Sequence, residues 1–111
     1  MEPPFPTRTT PAEAAAITLQ PGRLSALVGR TADVEVRHYA PLGTDRQTPH
    51  DRDELYVVIS GRGKFRRSDQ VVDFAPGDLL FCEAHRAHRF EDFTDDFACW
   101  VVFFGPVKPA R

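Results

Sequence analysis

Residues 43–61 read GTDRQTPHDRDELYVVISG, a polar loop that runs into an apolar stretch from Glu54 to Ser60 and stops at Gly61. The β-branched and aromatic residues suit a pleated, half-buried strand, and Gly61-Arg62-Gly63 suits the tight turn that ends it. Successive side chains of an extended chain point to opposite faces, so Thr48, His50, Glu54, Tyr56 and Val58 share the inward face while Asp51 and Asp53 point to solvent. The inward Glu54 is the informative residue. A carboxylate is costly to desolvate without a partner, and the imidazole of His50 on the same face makes a shared cation a natural one.

Downstream, Lys64 to Arg67 and Gln70 to Ala75 pair across Ser68-Asp69 as a hairpin, and Pro76-Gly77-Asp78 turns the chain again. Leu79 to Cys82 then reads as a short apolar strand and Ala87 to Phe90 as another, with His88 and Phe90 on one face and Arg89 on the other. Where sheet closure sets this strand beside the His50 strand, His50, Glu54 and His88 converge as two imidazoles and one carboxylate. That set suits a divalent transition metal (zinc, iron, manganese or nickel), and it has the composition of the facial triad that leaves positions open on iron. Short strands at such even spacing predict an antiparallel sandwich or barrel.

Upstream, residues 33–39 (DVEVRHY) alternate Val34, Val36 and His38 with Glu35, Arg37 and Tyr39, a half-buried strand by period. Thr10-Pro11-Ala12-Glu13 fits a capping box with Pro at the first helical position, so one or two helical turns follow. Ile17 to Leu19 is expected to begin a strand that Pro21-Gly22 breaks, and Arg23 to Arg30 reads as strand or helix. The final stretch, Phe97 to Phe104, is apolar on both faces. Its outer side needs cover from the N-terminal arm or a second copy, and an isologous homodimer is the commoner solution.

The chain of 111 residues has room for one domain, and the expected division is an N-terminal Pro/Ala-rich arm over 1–16, a barrel over 17–107 and a tail over 108–111. Its hydrophobic share of 41% is that of a folded globular protein, and nine Phe beside ten Pro and seven Gly favour strands and turns. A formal net charge of −2 gives no field to gather nucleic acid or an anionic membrane. Cys82 and Cys99 supply neither a disulfide framework nor a zinc site of cysteines. The Pro-rich start lacks the pattern of a secretory signal, and no apolar stretch approaches spanning length, so a cytoplasmic setting is expected.

The stretch from Gly43 to Phe90 resembles the cupin family of small jelly-roll barrels. The first family motif is Gly, five residues, His-x-His, three or four residues, Glu, six residues and Gly; here Glu54 to Gly61 keeps the spacing and His50 falls on the second histidine. The second runs Gly, five residues, Pro-x-Gly, two residues, His, three residues and Asn; GDLLFCEAHRAHRFED from Gly77 reproduces its length with His88 on the histidine. Thr48 stands where the family has its first metal-binding histidine, and Gly43 lies one residue closer to it than the pattern asks. Glu83 and His85 replace the Pro and Gly of the turn, and Asp92 replaces the Asn.

The resemblance implies an all-β fold, the antiparallel double-stranded β-helix or jelly-roll barrel, with metal ligands His50, Glu54 and His88. Losing one of four ligands should weaken affinity and leave part of the protein without metal. Water, His85 or His38 are the replacements to consider, although both histidines read more simply as turn and strand residues. Tyr56 and Thr48 are the pocket candidates, and no residue is singled out as catalytic. Family chemistry is of the dioxygenase, isomerase, lyase or decarboxylase type on a small oxygenated metabolite. Whether this chain is an enzyme stays open at this point; the alternatives are a non-catalytic module for a small ligand and a dimeric scaffold with a vestigial site.

Overall fold

A computed structural model describes residues 5–110; residues 1–4 of the expected arm and residue 111 lie outside the described residues. One helix, α1 (Pro11–Ala15), precedes eight strands: β1 (Ala26–Arg30), β2 (Val34–Tyr39), β3 (Asp53–Ser60), β4 (Gly63–Arg67), β5 (Gln70–Phe74), β6 (Leu79–Cys82), β7 (His88–Glu91) and β8 (Ala98–Phe104). The capping box is formed, with Glu13 N–H donating to Thr10 Oγ1 at 3.1 Å and Thr10 N–H to Glu13 Oε1 at 2.9 Å. No described helix is long and apolar enough to cross a membrane.

The strands form two antiparallel sheets, in the orders β1-β2-β8-β3-β6 and β5-β4-β7. This is the expected jelly roll. Between the sheets lie Tyr56, Val58, Phe65, Phe74, Leu80, Phe90, Phe97 and Val101 with the thiols of Cys82 and Cys99. Phe90 meets Phe97 at 4.7 Å between ring centroids and Tyr56 at 4.9 Å, so the aromatic excess is largely core packing. Each such ring contributes about 1.5–3 kcal/mol by burial. Gly61 ends β3 at φ +84°, and a Cβ there would lie 2.5 Å from the Phe97 Cα, so both the conformation and the close approach require glycine.

Three expectations need correction. Ile17 and Leu19 are exposed and belong to no strand, because no neighbouring strand receives them. The alternation in β2 does not separate a wet face from a dry one. Arg37, His38 and Tyr39 are all buried: Tyr39 joins the core, Arg37 lies in the wall of a cavity and His38 packs edge-on against Trp100. Finally, β7 does not lie beside β3. It pairs with β4 in the smaller sheet, while β3 pairs with β6 and β8, so His88 approaches Glu54 face to face across the sandwich.

On β8, Cys99 and Val101 face the core and Trp100 is half-buried beside His38. The N-terminal segment lies across β1, where the Phe5 ring rests on Gly29 at a distance that leaves no room for a Cβ.

Candidate metal centre

Glu54 is the second residue of β3, and the β parity that turns it inward leaves it 1% exposed. His50 precedes the strand; its backbone carbonyl accepts from His85 N–H at 2.7 Å, which ties the loop to the turn before β7. His88 opens β7 from the opposite sheet. One ligand atom from each of His50, Glu54 and His88 falls within 4.8 Å of the others. His88 Nε2 is 2.6 Å from Glu54 Oε1, and His50 Nδ1 is 3.3 Å from the same oxygen.

Two atoms of this cluster are buried without a hydrogen-bond partner: Glu54 Oε2 and His50 Nδ1, the latter close to Glu54 but outside hydrogen-bond geometry. Buried polar atoms are almost always satisfied, and orphans on two of three clustered ligand residues are what a cation site leaves when its ion is taken away. The residues present therefore fit a divalent metal.

The electrostatics agree. Burial works against the Glu54 carboxylate, yet the adjacent His50 and His88 imidazoles hold its pKa below the ordinary carboxylate value. Burial also opposes the His88 imidazolium, but the hydrogen bonds it makes with Cys82 and to the Glu54 carboxylate outweigh it and raise His88 to about 10. Tyr56 is fully buried, and desolvation together with the Glu54 charge pushes its phenol well above the usual range, so it stays a proton donor.

The Tyr56 hydroxyl donates to Gln47 Oε1 at 3.0 Å, and the same oxygen lies 3.2 Å from His88 Nε2. Sequence reasoning missed this residue. It also missed Asp45, a buried carboxylate that accepts from Tyr39 OH at 2.5 Å, Phe90 N–H at 2.8 Å, Gln47 Nε2 at 2.7 Å and Gln47 N–H at 3.1 Å. The available signal was Asp45-Arg46-Gln47, the pattern of an Asx turn in which an Asp accepts from the backbone two residues on. Thr48, expected on the inward face, is instead exposed on the wall of the adjoining cavity, because β3 begins only at Asp53 and the period of two does not reach the loop before it. His85 bonds the Lys108 carbonyl through Nε2 at 2.6 Å and His38 stacks edge-on with Trp100, so both fill the structural roles expected of them.

The cavity, about 340 Å³, opens beside the triad and is lined by His50, Gln47, Thr48, Phe103 and four arginines. Arg37 is taken up by Glu35 and the Ser25 carbonyl, and Arg52 by the carbonyls of Gly105 and Asp33. The guanidinium groups of Arg23 and Arg46 make no ion pair among the described residues, and with the carboxylates of Glu35 and Asp51 also in the lining the four arginines leave a net positive charge around the cavity.

Over 63 residues the chain is 36% identical to an uncharacterized protein of Streptomyces coelicolor, a match that takes in 57% of this chain and 60% of that one. The chain thus spans about 60% of the length of this curated relative. A cupin superfamily protein from Desulfitobacterium hafniense superposes with a TM-score of 0.66 at 20% identity, covering 91% of this chain and 94% of the other. A protein of unknown function from Rhizobium leguminosarum gives 0.71 at 17% identity over 89% and 96%. At these identities the two structures speak for the fold alone. The family model described as Cupin domain matches residues 35–104, which takes in the strands of both sheets from β2 to β8, and with that match the chain belongs to the cupin family.

Proposed function

We propose that this cupin binds a divalent transition metal through His50, Glu54 and His88 and acts on a small oxygenated metabolite that enters by the adjoining cavity. The observation that carries the reading is the pair of buried, unpartnered atoms, Glu54 Oε2 and His50 Nδ1, on two of the three clustered residues. A bound ion would supply Lewis acidity or, if iron or manganese, redox capacity. Everything else falls to the chain. Val101 and Phe103 make an apolar wall that limits water, the protonated Tyr56 donates to Gln47 Oε1 beside the cluster, and Arg23 and Arg46 favour an anionic, carboxylate-like end of the substrate. A dioxygenase, isomerase, lyase or decarboxylase reaction is compatible with these groups. The free, buried thiols of Cys82 and Cys99 accord with a reducing, cytoplasm-like setting.

Elemental analysis of protein prepared without a polyhistidine tag tests the reading. Metal is expected in the wild type, below one equivalent, and is expected to fall further in His50→Ala. Metal content that the substitution leaves unchanged would sink the assignment.

The chain is further proposed to act as a homodimer. Leu79 is 63% exposed, with Val72 at 42% and Phe81 at 40%, and these three line one cleft together with Phe65, Leu80, Arg67 and Gln70. Paired copies would shield it. Sedimentation at micromolar concentration should return twice the chain mass, and a monomer mass rejects the proposal.

A further inference from the structure

We propose that the side-chain oxygen of Gln47 is a fourth metal ligand, aimed at the ion by Asp45. The proposal rests on the metal reading above and goes beyond it, because neither the sequence motif nor the three-residue cluster includes Gln47.

The first argument concerns which end of the amide faces the site. Gln47 Nε2 lies 2.7 Å from Asp45 Oδ2, whose carboxylate also accepts from the Phe90 and Gln47 backbone N–H groups and from the Tyr39 hydroxyl. Both oxygens of that carboxylate already accept, so turning the amide over would set oxygen against oxygen. Asp45 is buried and four donors converge on it, so it does not move aside. Gln47 must therefore present Oε1, and not its NH2, to the cluster.

The second argument is spacing. Atoms that bind one ion at about 2.1 Å lie roughly 3.0–3.4 Å apart at octahedral to tetrahedral angles. Gln47 Oε1 stands 3.2 Å from His88 Nε2, and His50 Nδ1 stands 3.3 Å from Glu54 Oε1. The 2.6 Å contact between His88 Nε2 and Glu54 Oε1 is shorter than this range, a direct pair that a bound ion would part. Lone pairs also suffice: an amide oxygen has two, and the Tyr56 hydroxyl at 3.0 Å uses one, leaving the other for a cation.

Chemistry supplies the third. Oxygen from a carboxamide and a carboxylate with two imidazoles makes a mixed N2O2 set, which suits a divalent first-row ion, and the donor lost at Thr48 is replaced from three residues upstream of His50. Asp45 and Tyr39 then play the part that outer hydrogen bonds play around metal ligands, fixing the donor's orientation.

The test uses the full chain and Co2+ alone. Affinity is measured against a chromophoric chelator, and the visible bands report the coordination around cobalt. Gln47→Leu should weaken Co2+ binding about 10- to 100-fold and change the visible spectrum, and Thr48→Ala should alter neither. Asp45→Asn, which frees the amide to turn, should weaken binding to a lesser degree. Equal affinity and an identical spectrum in Gln47→Leu overturn the Gln47 assignment and leave the three-residue site standing. A wild type that takes up no Co2+ overturns both. Should Gln47→Leu fail to fold, 13C-labelled wild type decides: a through-bond paramagnetic shift of the Gln47 side-chain carbonyl carbon supports ligation, and a resonance that Co2+ leaves in place rejects it.

Discussion

In the metal-free protein, Glu54→Gln is expected to cost about 3 kcal/mol of stability at pH 6 and to abolish most of the decline in stability expected of the wild type between pH 6.5 and 10. The magnitude follows from breaking a buried, short ion pair whose remaining partner keeps its desolvation cost. His88 Nε2 and Glu54 Oε1 are 2.6 Å apart with both side chains 1% exposed, so solvent screens them little. The pH dependence follows from the two shifts taken separately. His88 is raised from 6.5 to about 10, so its contribution is fully present below 6.5 and is lost as pH rises through 10. Glu54 is lowered from 4.5, so its contribution is present above 4.5 and is lost as pH falls through its lower folded value. Stability from the pair is therefore greatest between about 4.5 and 6.5 and declines toward alkali. Urea unfolding of chelator-treated protein at several pH values measures it. Equal slopes in wild type and variant above pH 6.5 would show that the pair is not the source.

Asp45→Ala should be the most destabilising single substitution near the site, at about 3–5 kcal/mol. Four donors end on this carboxylate, and among them the Tyr39 hydroxyl and the Phe90 N–H are buried where water cannot replace the lost acceptor. Each buried donor left alone costs about 1–3 kcal/mol, and charge-assisted bonds are at the stronger end. Against a total of about 5–15 kcal/mol for a domain, the loss is large enough to read as a shift in the midpoint of chemical unfolding. A change under about 1 kcal/mol would mean that the loop carrying Asp45 rearranges freely, which would also undercut its hold on Gln47.

These residues divide by how far their signals travel along the chain. Thr10 to Glu13 and Leu79 to Cys82 were legible because a capping box and a short apolar run between turns are local. Glu54, Tyr56 and Val58 were legible because β3 is extended, so parity alone turns them inward. Parity misleads in β2, where the charged face of Glu35 and Arg37 lines a cavity instead of bulk solvent. The meeting of His50, Glu54 and His88 was readable as a set, through spacing and family likeness, but not the route by which they meet. How two sheets face each other is decided by long-range closure, which no local pattern encodes. Asp45 and Gln47 escaped for a related reason: they sit in an irregular loop, where the period of two does not apply and side-chain direction depends on the partners found.

The placement of His88 on one sheet and Glu54 on the other has a mechanical side. A contact between residues so far apart in sequence acts as a cross-link, closing a long loop of chain and removing freedom from any partly opened state. Prying the sheets apart and exposing the cluster are then one event, so a ligand exchanging at the bottom of the site waits on the breathing of the whole sandwich, whereas one arriving through the arginine-lined mouth does not.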